Sequence, residues 1–220
     1  MELAISIALS TLETVTIFVL IMVSFRYRQS YRLLAVASLG LVLAVFSLWA
    51  RMVLMQPIVD NLFQLFAMYI YLKFVYRIRW FDASIMLCFG CLMYLLLQGL
   101  VVLFFKIGYG YFLEDYHDIT SYQTFMLQMV TFPLGLGIAW IIKKKNGGFT
   151  FISSHMRRRA KWTGINRSIL GSLICSGVLL IVGLISTGYG NQLTYYTFFS
   201  FLFIFFVYLV LLFYRKDYLE

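Results

Sequence analysis

The sequence predicts an all-α, polytopic membrane protein of about seven transmembrane helices. Three observations carry this. The chain is 62% hydrophobic and only 12% charged, with a mean hydropathy of +0.88, which is more apolar surface than so few charges can cover in a soluble fold. Seven mostly apolar runs approach the ~20 residues that a helix needs to cross hydrocarbon. Basic residues fall almost wholly on one side of those runs. At 220 residues, one membrane bundle over 1–220 leaves no room for a soluble domain of ordinary size. The opening MELAIS lacks a basic n-region and no small-residue cleavage site follows the first apolar run, so a cleaved signal peptide is not expected.

The first span covers about 4–24 and is followed by Arg26, Arg28 and Arg32. The second, 33–50, ends at Arg51 and a turn around Pro57. The third, 59–76, is short, with Lys73 placed to snorkel from its last turn; Arg77 and Arg79 follow. The fourth covers 83–105. A polar loop with Glu114, Asp115, His117 and Asp118 leads into the fifth, 122–142, which carries Pro133, Gly135 and Gly137. The sixth, 168–187, and the seventh, 193–214, come after a basic loop over 143–167 that holds eight Lys and Arg and no acid.

Short loops dense in Lys and Arg stay cytoplasmic. With the basic loop inside, counting helices places sixteen of the eighteen Lys+Arg inside, leaving only Arg51 and Lys106 outside. The N-terminus is then expected outside and the C-terminus in the cytoplasm. The net charge of +9 reads as a topology signal and argues for no nucleic acid; the basic face is expected to attract anionic lipid headgroups. Trp80, Trp140 and Trp162 on the inner side and Trp49 on the outer side suit an interfacial aromatic belt.

Polar residues within the spans mark the candidate site. Glu13 lies near the middle of the first helix, where an ionisable group is costly and faces the bundle or a water-filled cavity. Gln64, Gln98 and Gln128 sit on the third, fourth and fifth helices, each on the order of 8–10 Å below the outer boundary. Four helices thus place a polar side chain in the outer half, which predicts a ligand-binding cavity open to the outside. Separate interhelical hydrogen bonds would give the same pattern. Pro133 with Gly135 and Gly137 predicts a bend or fixed kink beside it.

Other motifs exclude more than they assign. Cys88 and Cys91 form C-x-x-C inside a span, away from the exposed helix start that redox chemistry uses, and read as packing residues. Gly171/Cys175 and Ser172/Ser176 have the small-xxx-small spacing of close helix packing, within the chain or between two copies in a homodimer. T-G-Y-G-N at 187–191 is one residue short of a potassium filter, and the preceding span has no length for a pore helix. His117, Glu114 and Asp118 read as a solvated acidic loop before a metal site. No H-E-x-x-H, G-x-S-x-G or P-loop occurs, and nothing brings His155 to Cys175 as a protease pair. No enzyme, metal or cofactor is expected.

The order MELAIS, FRYRQSYR, FVYRIRWFDASIM and a final aromatic span emptying into FYRKDYLE resembles, over about the whole chain, the N-terminal membrane sensor domain of the Agr-type peptide-sensing histidine kinases of Gram-positive bacteria. The resemblance implies a receptor that binds a secreted cyclic peptide from outside and signals through its last helix to a dimeric kinase core. These 220 residues hold no phosphoacceptor His and no ATP-binding Asn or Gly boxes. The expectation is therefore the sensor portion of a longer two-component protein, or a stand-alone relative without kinase activity. The rival class is a small transporter using Glu13 as an intramembrane coupling group. With no Gly or Pro after Leu193, the last helix is expected to continue past Tyr214 as a rigid output.

Overall fold

A computed structural model describes residues 2–27, 33–50, 57–109, 122–152, 164–188 and 192–219. They form seven helices, α1 (Glu2–Ser24), α2 (Leu33–Trp49), α3 (Pro57–Phe74), α4 (Trp80–Tyr109), α5 (Tyr122–Lys144), α6 (Gly164–Gly188) and α7 (Gln192–Leu219). No strand occurs among the described residues. The acidic loop with His117, the basic residues from Arg157 to Lys161, His155, Trp162 and the Tyr-Gly-Asn of 189–191 lie outside the described residues.

Four stretches are long and apolar enough to cross a membrane: Ala4–Ser24, Trp80–Gly108, Phe125–Lys144 and Thr197–Tyr218. Shorter apolar helices cover Leu34–Trp49 and Gly164–Leu179. α3 falls short because Asp60, Asn61, Gln64 and Lys73 occupy four of its 18 residues. The architecture is compatible with a membrane helical protein. Its surface agrees, since large apolar side chains such as Phe104, Trp140, Ile174, Phe201 and Ile204 are exposed, an arrangement that suits lipid and not water.

α4 is the hub, touching α1, α3, α5, α6 and α7. Its glycines make the contacts close. A Cβ on Gly90 would stand 2.1 Å from Cγ1 of Ile21 on α1, so α1 and α4 meet across a glycine groove. α5 runs unbroken through Pro133, and Gly135 packs on Thr16 of α1. The small residues of α6 divide: Ser172 and Ser176 are buried, while Gly171 and Cys175 are exposed. All three cysteines are free thiols.

The C-terminal ends of α1, α3, α5 and α7 gather at one pole. Tyr27 Oη donates to the Tyr76 carbonyl at 3.0 Å, and Arg26 Nε donates to the Gly147 carbonyl at 3.0 Å. Arg26, Arg77 and Asn146 each take positive φ just past a helix end, the left-handed cap that closes a helix. The Tyr27 and Gly147 amides complete that motif at α1 and α5 by donating to the Met22 and Ile142 carbonyls. Lys73 Nζ lies 4.8 Å over the Trp80 ring and Lys144 Nζ 4.8 Å over Trp140, so two of the expected belt tryptophans each carry a cation.

The basic loop is described from Lys145 to Ile152. Its first residues fold back under the bundle. The Phe149 amide donates to the Ser24 carbonyl at 2.7 Å, and Phe149 and Phe151 enter a ring cluster with Phe25, Phe89 and Phe213. Asp217 Oδ1 accepts the Thr150 amide at 2.8 Å, the Thr150 hydroxyl at 2.7 Å and the Phe151 amide at 2.9 Å. Lys216 is buried, its Nζ 4.4 Å over the Phe151 ring. α7 does continue to Leu219, but it is clasped there to α1 and the α5–α6 segment and is not a free rod.

Candidate functional site

Opposite the basic pole, the N-terminal halves of α1, α3 and α5 and the C-terminal half of α2 enclose a polar cavity of about 100 Å³. Glu13, Gln64 and Gln128 line it together with Ser6, Ser10 and Asn61. The local reason is periodicity. Ser6, Ser10 and Glu13 recur at three- and four-residue intervals and so share one face of α1, while the opposite face supplies apolar packing.

Glu13 is the centre. Gln98 Nε2 of α4 donates to its Oε1 at 3.0 Å, and Gln128 Nε2 of α5 donates to its Oε2 at 3.2 Å. Three of the four polar residues singled out in the sequence therefore meet. The fourth, Gln64, lines the same cavity but donates instead to Asp60 Oδ1 at 3.0 Å, within its own helix. Ser47 Oγ of α2 donates to Asp60 Oδ2 at 2.7 Å. Asp60 is fully buried, at 0% exposure.

No family model matches the chain, and no curated protein or solved structure does. The site is thus argued from its chemistry alone.

Asp60 is the residue the sequence reading missed. It stands at the edge of the predicted third span, where a carboxylate is expected at the interface. The readable signal was its spacing: Asp60 and Gln64 are four apart on one helix face. Pro57 in the first turn and the carboxylate at the third residue beyond it also suit a helix start. Tyr94 was missed as well. It lies one turn before Gln98 on α4, is buried, and faces Glu13.

The arrangement has a structural role too. The Glu13 bonds tie α1 to α4 and α5, each worth about 0.6 kcal/mol in a membrane. A purely structural network, however, needs no open space. A cavity of about 100 Å³ lies beside this network, with Glu13 in its lining. Among the described residues no cluster of three or more His, Cys, Asp or Glu is placed to hold a metal ion.

Proposed function

We propose that the chain is a membrane receptor module: a seven-helix bundle with the N-terminus outside and the C-terminus in the cytoplasm. Its outer-half cavity takes part of an extracellular ligand, a secreted signalling peptide, and α7 relays occupancy to a cytoplasmic kinase or partner. The observation that carries this is the convergence of Glu13, Gln98 and Gln128, from three helices, beside one cavity. The resemblance to Agr-type sensor domains supports it, as does α7, which ends in the clasp at the opposite pole. The cavity, at about 100 Å³, is well below the roughly 300–1,000 Å³ of sites that engulf a whole drug-sized ligand. It admits one side chain or terminus, and the rest of a peptide lies over the outer ends of the helices.

Topology is tested first. Reporter fusions after Arg28, Arg79, Lys161 and Glu220 are expected to read cytoplasmic, and those after Pro57, Asp115 and Asn191 external. A single loop on the wrong side removes a span or reverses the orientation.

Binding is tested with the full chain in lipid nanodiscs and the peptide fraction secreted by the native host. Saturable quenching or enhancement of tryptophan fluorescence is expected. Glu13→Gln keeps hydrogen bonding but cannot ionise, and is expected to weaken the response while insertion is retained. An unchanged response in that variant sinks the receptor reading of this cavity. The second membrane carboxylate, Asp60, favours transport as the alternative, and substrate uptake into proteoliposomes would assign that class.

A further inference from the structure

We infer that the cavity recognises a carboxamide group, the side-chain amide of an asparagine or glutamine or an amidated terminus. The inference rests on reading the cavity as the ligand site and adds the chemistry of what enters it.

Hydrogen-bonding capacity points this way. Gln64 donates its Nε2 to a carboxyl oxygen of Asp60, and Gln128 donates its Nε2 to one of Glu13. A carboxyl oxygen that accepts from a glutamine fixes which end of the amide faces it. Each glutamine therefore keeps its carbonyl oxygen, and both glutamines line the cavity. Neither carbonyl oxygen has a hydrogen-bond partner among the described residues. Ser6 lines the same space at 3% exposure, and its hydroxyl has no such partner either. Asn61, on the same helix as Gln64, adds an amide in the same condition. The wall thus holds two carbonyl acceptors from α3 and α5, with a hydroxyl and an amide able to donate. A carboxamide is the complement, with two N–H donors and one carbonyl acceptor. Its N–H groups match the Gln64 and Gln128 oxygens, and its carbonyl matches the Ser6 hydroxyl. Buried polar groups left unmatched are costly, so a ligand that meets them all is favoured over one that meets a few.

Size and the remaining lining narrow the class. A volume of about 100 Å³ equals about three waters at roughly 30 Å³ each, room for a group of about four heavy atoms. A carboxamide with one attached carbon has that many. Ile17, Leu43, Ala44 and Leu48 complete the wall, and their apolar surface suits a methylene stem. A neutral amide also gives up less on leaving water than an ion does. The match needs no net charge at the wall. Asp60 and Glu13 enter only as the groups that orient the two glutamines.

The experiment uses the full chain in nanodiscs and small probes, with no peptide. Acetamide is titrated against melting temperature. Acetone, which has nearly the same shape and the same carbonyl but no N–H, is the control. A saturable rise is expected with acetamide in the millimolar range, the affinity open to so few atoms, and none with acetone. Gln64→Met and Gln128→Met each remove one carbonyl acceptor and are expected to weaken acetamide about tenfold. Ser6→Ala is expected to weaken it about threefold. If a methionine variant does not fold, Ser6→Ala and the wild-type contrast between acetamide and acetone still decide. No rise, or an equal rise with both probes, overturns the inference. A larger rise with methylammonium or acetate, at constant ionic strength, assigns a charged ligand and overturns the carboxamide. Secreted peptide that binds while acetamide does not would leave the receptor reading standing and remove this inference alone. Saturable acetamide binding without any response to the peptide keeps the chemistry of the site and removes the receptor reading.

Discussion

Replacing Asp217 by Ala is expected to free the end of α7 and destabilise the bundle by about 2–4 kcal/mol. One carboxylate oxygen accepts three hydrogen bonds, from the Thr150 amide and hydroxyl and the Phe151 amide. Hydrogen bonds to a charged group contribute about 1.5–3 kcal/mol each when fully formed, and half-burial lowers the sum. Removing the carboxylate leaves two backbone amides to find water at a point where Phe149 and Phe151 are buried. Asp217→Asn keeps an acceptor at Oδ1 and should lose about half as much. Hydrogen exchange at Thr150 and Phe151 reads the clasp directly. Faster exchange in the Ala variant is expected there, with α1–α4 amides unchanged. Equal protection in both proteins would mean that the ring cluster alone holds the segment. On the receptor reading, the same variant would uncouple ligand binding from output without touching the cavity.

Gly90→Val is expected to cost about 3 kcal/mol or more, and to be the most damaging single substitution at a helix seam. The first added carbon would stand 2.1 Å from Ile21 Cγ1 and 2.9 Å from its Cδ1. Ile21 is 0% exposed and packed in the main core, so it has nowhere to turn. α1 would have to move away from α4, stretching the Gln98–Glu13 bond a few turns along the same seam. The melting temperature should fall by several degrees, and adding Ile21→Ala should restore part of it by returning the lost volume. Additive losses in the double variant would show that the two residues do not share a seam.

How much of this was legible in the sequence follows from the size of the signals. Runs of about twenty apolar residues announce helices, and isolated polar groups within them stand out, which is why Glu13, Gln98 and Gln128 were found. Gln64 stands out in the same way, but its hydrogen bond goes to Asp60, a residue at the edge of the third apolar run that hydropathy does not single out. The clasp was hidden for another reason. Gly147–Phe151 is five residues between Lys143–Lys145 and Arg157–Lys161; charge dominates that window and no period marks two phenylalanines as buried. Its hinge is Gly148, whose φ of +99° and close approach to the Ser24 carbonyl suit glycine alone, and a lone glycine in a polar loop does not disclose that. Hydropathy and length support four described helices, and the polar face that gives α3 its place in the cavity also takes it below the threshold for a span.

The clasp also bears on biogenesis. Asp217 lies 67 residues after Thr150, and Gly147 lies 121 after Arg26. At roughly 5–20 residues per second, a ribosome takes on the order of seconds to deliver Asp217 once Phe149 and Phe151 have been made. During that interval α1 and α5 can already join through Ser24 and Arg26, but the two rings have only part of their cover. The nascent chain therefore carries a built-in marker of incompleteness, an apolar patch at the basic pole that disappears only when the last helix has been synthesised and seated. A chaperone or membrane protease that recognises exposed phenylalanine would distinguish molecules in which α7 is seated from those in which it is not by this patch alone.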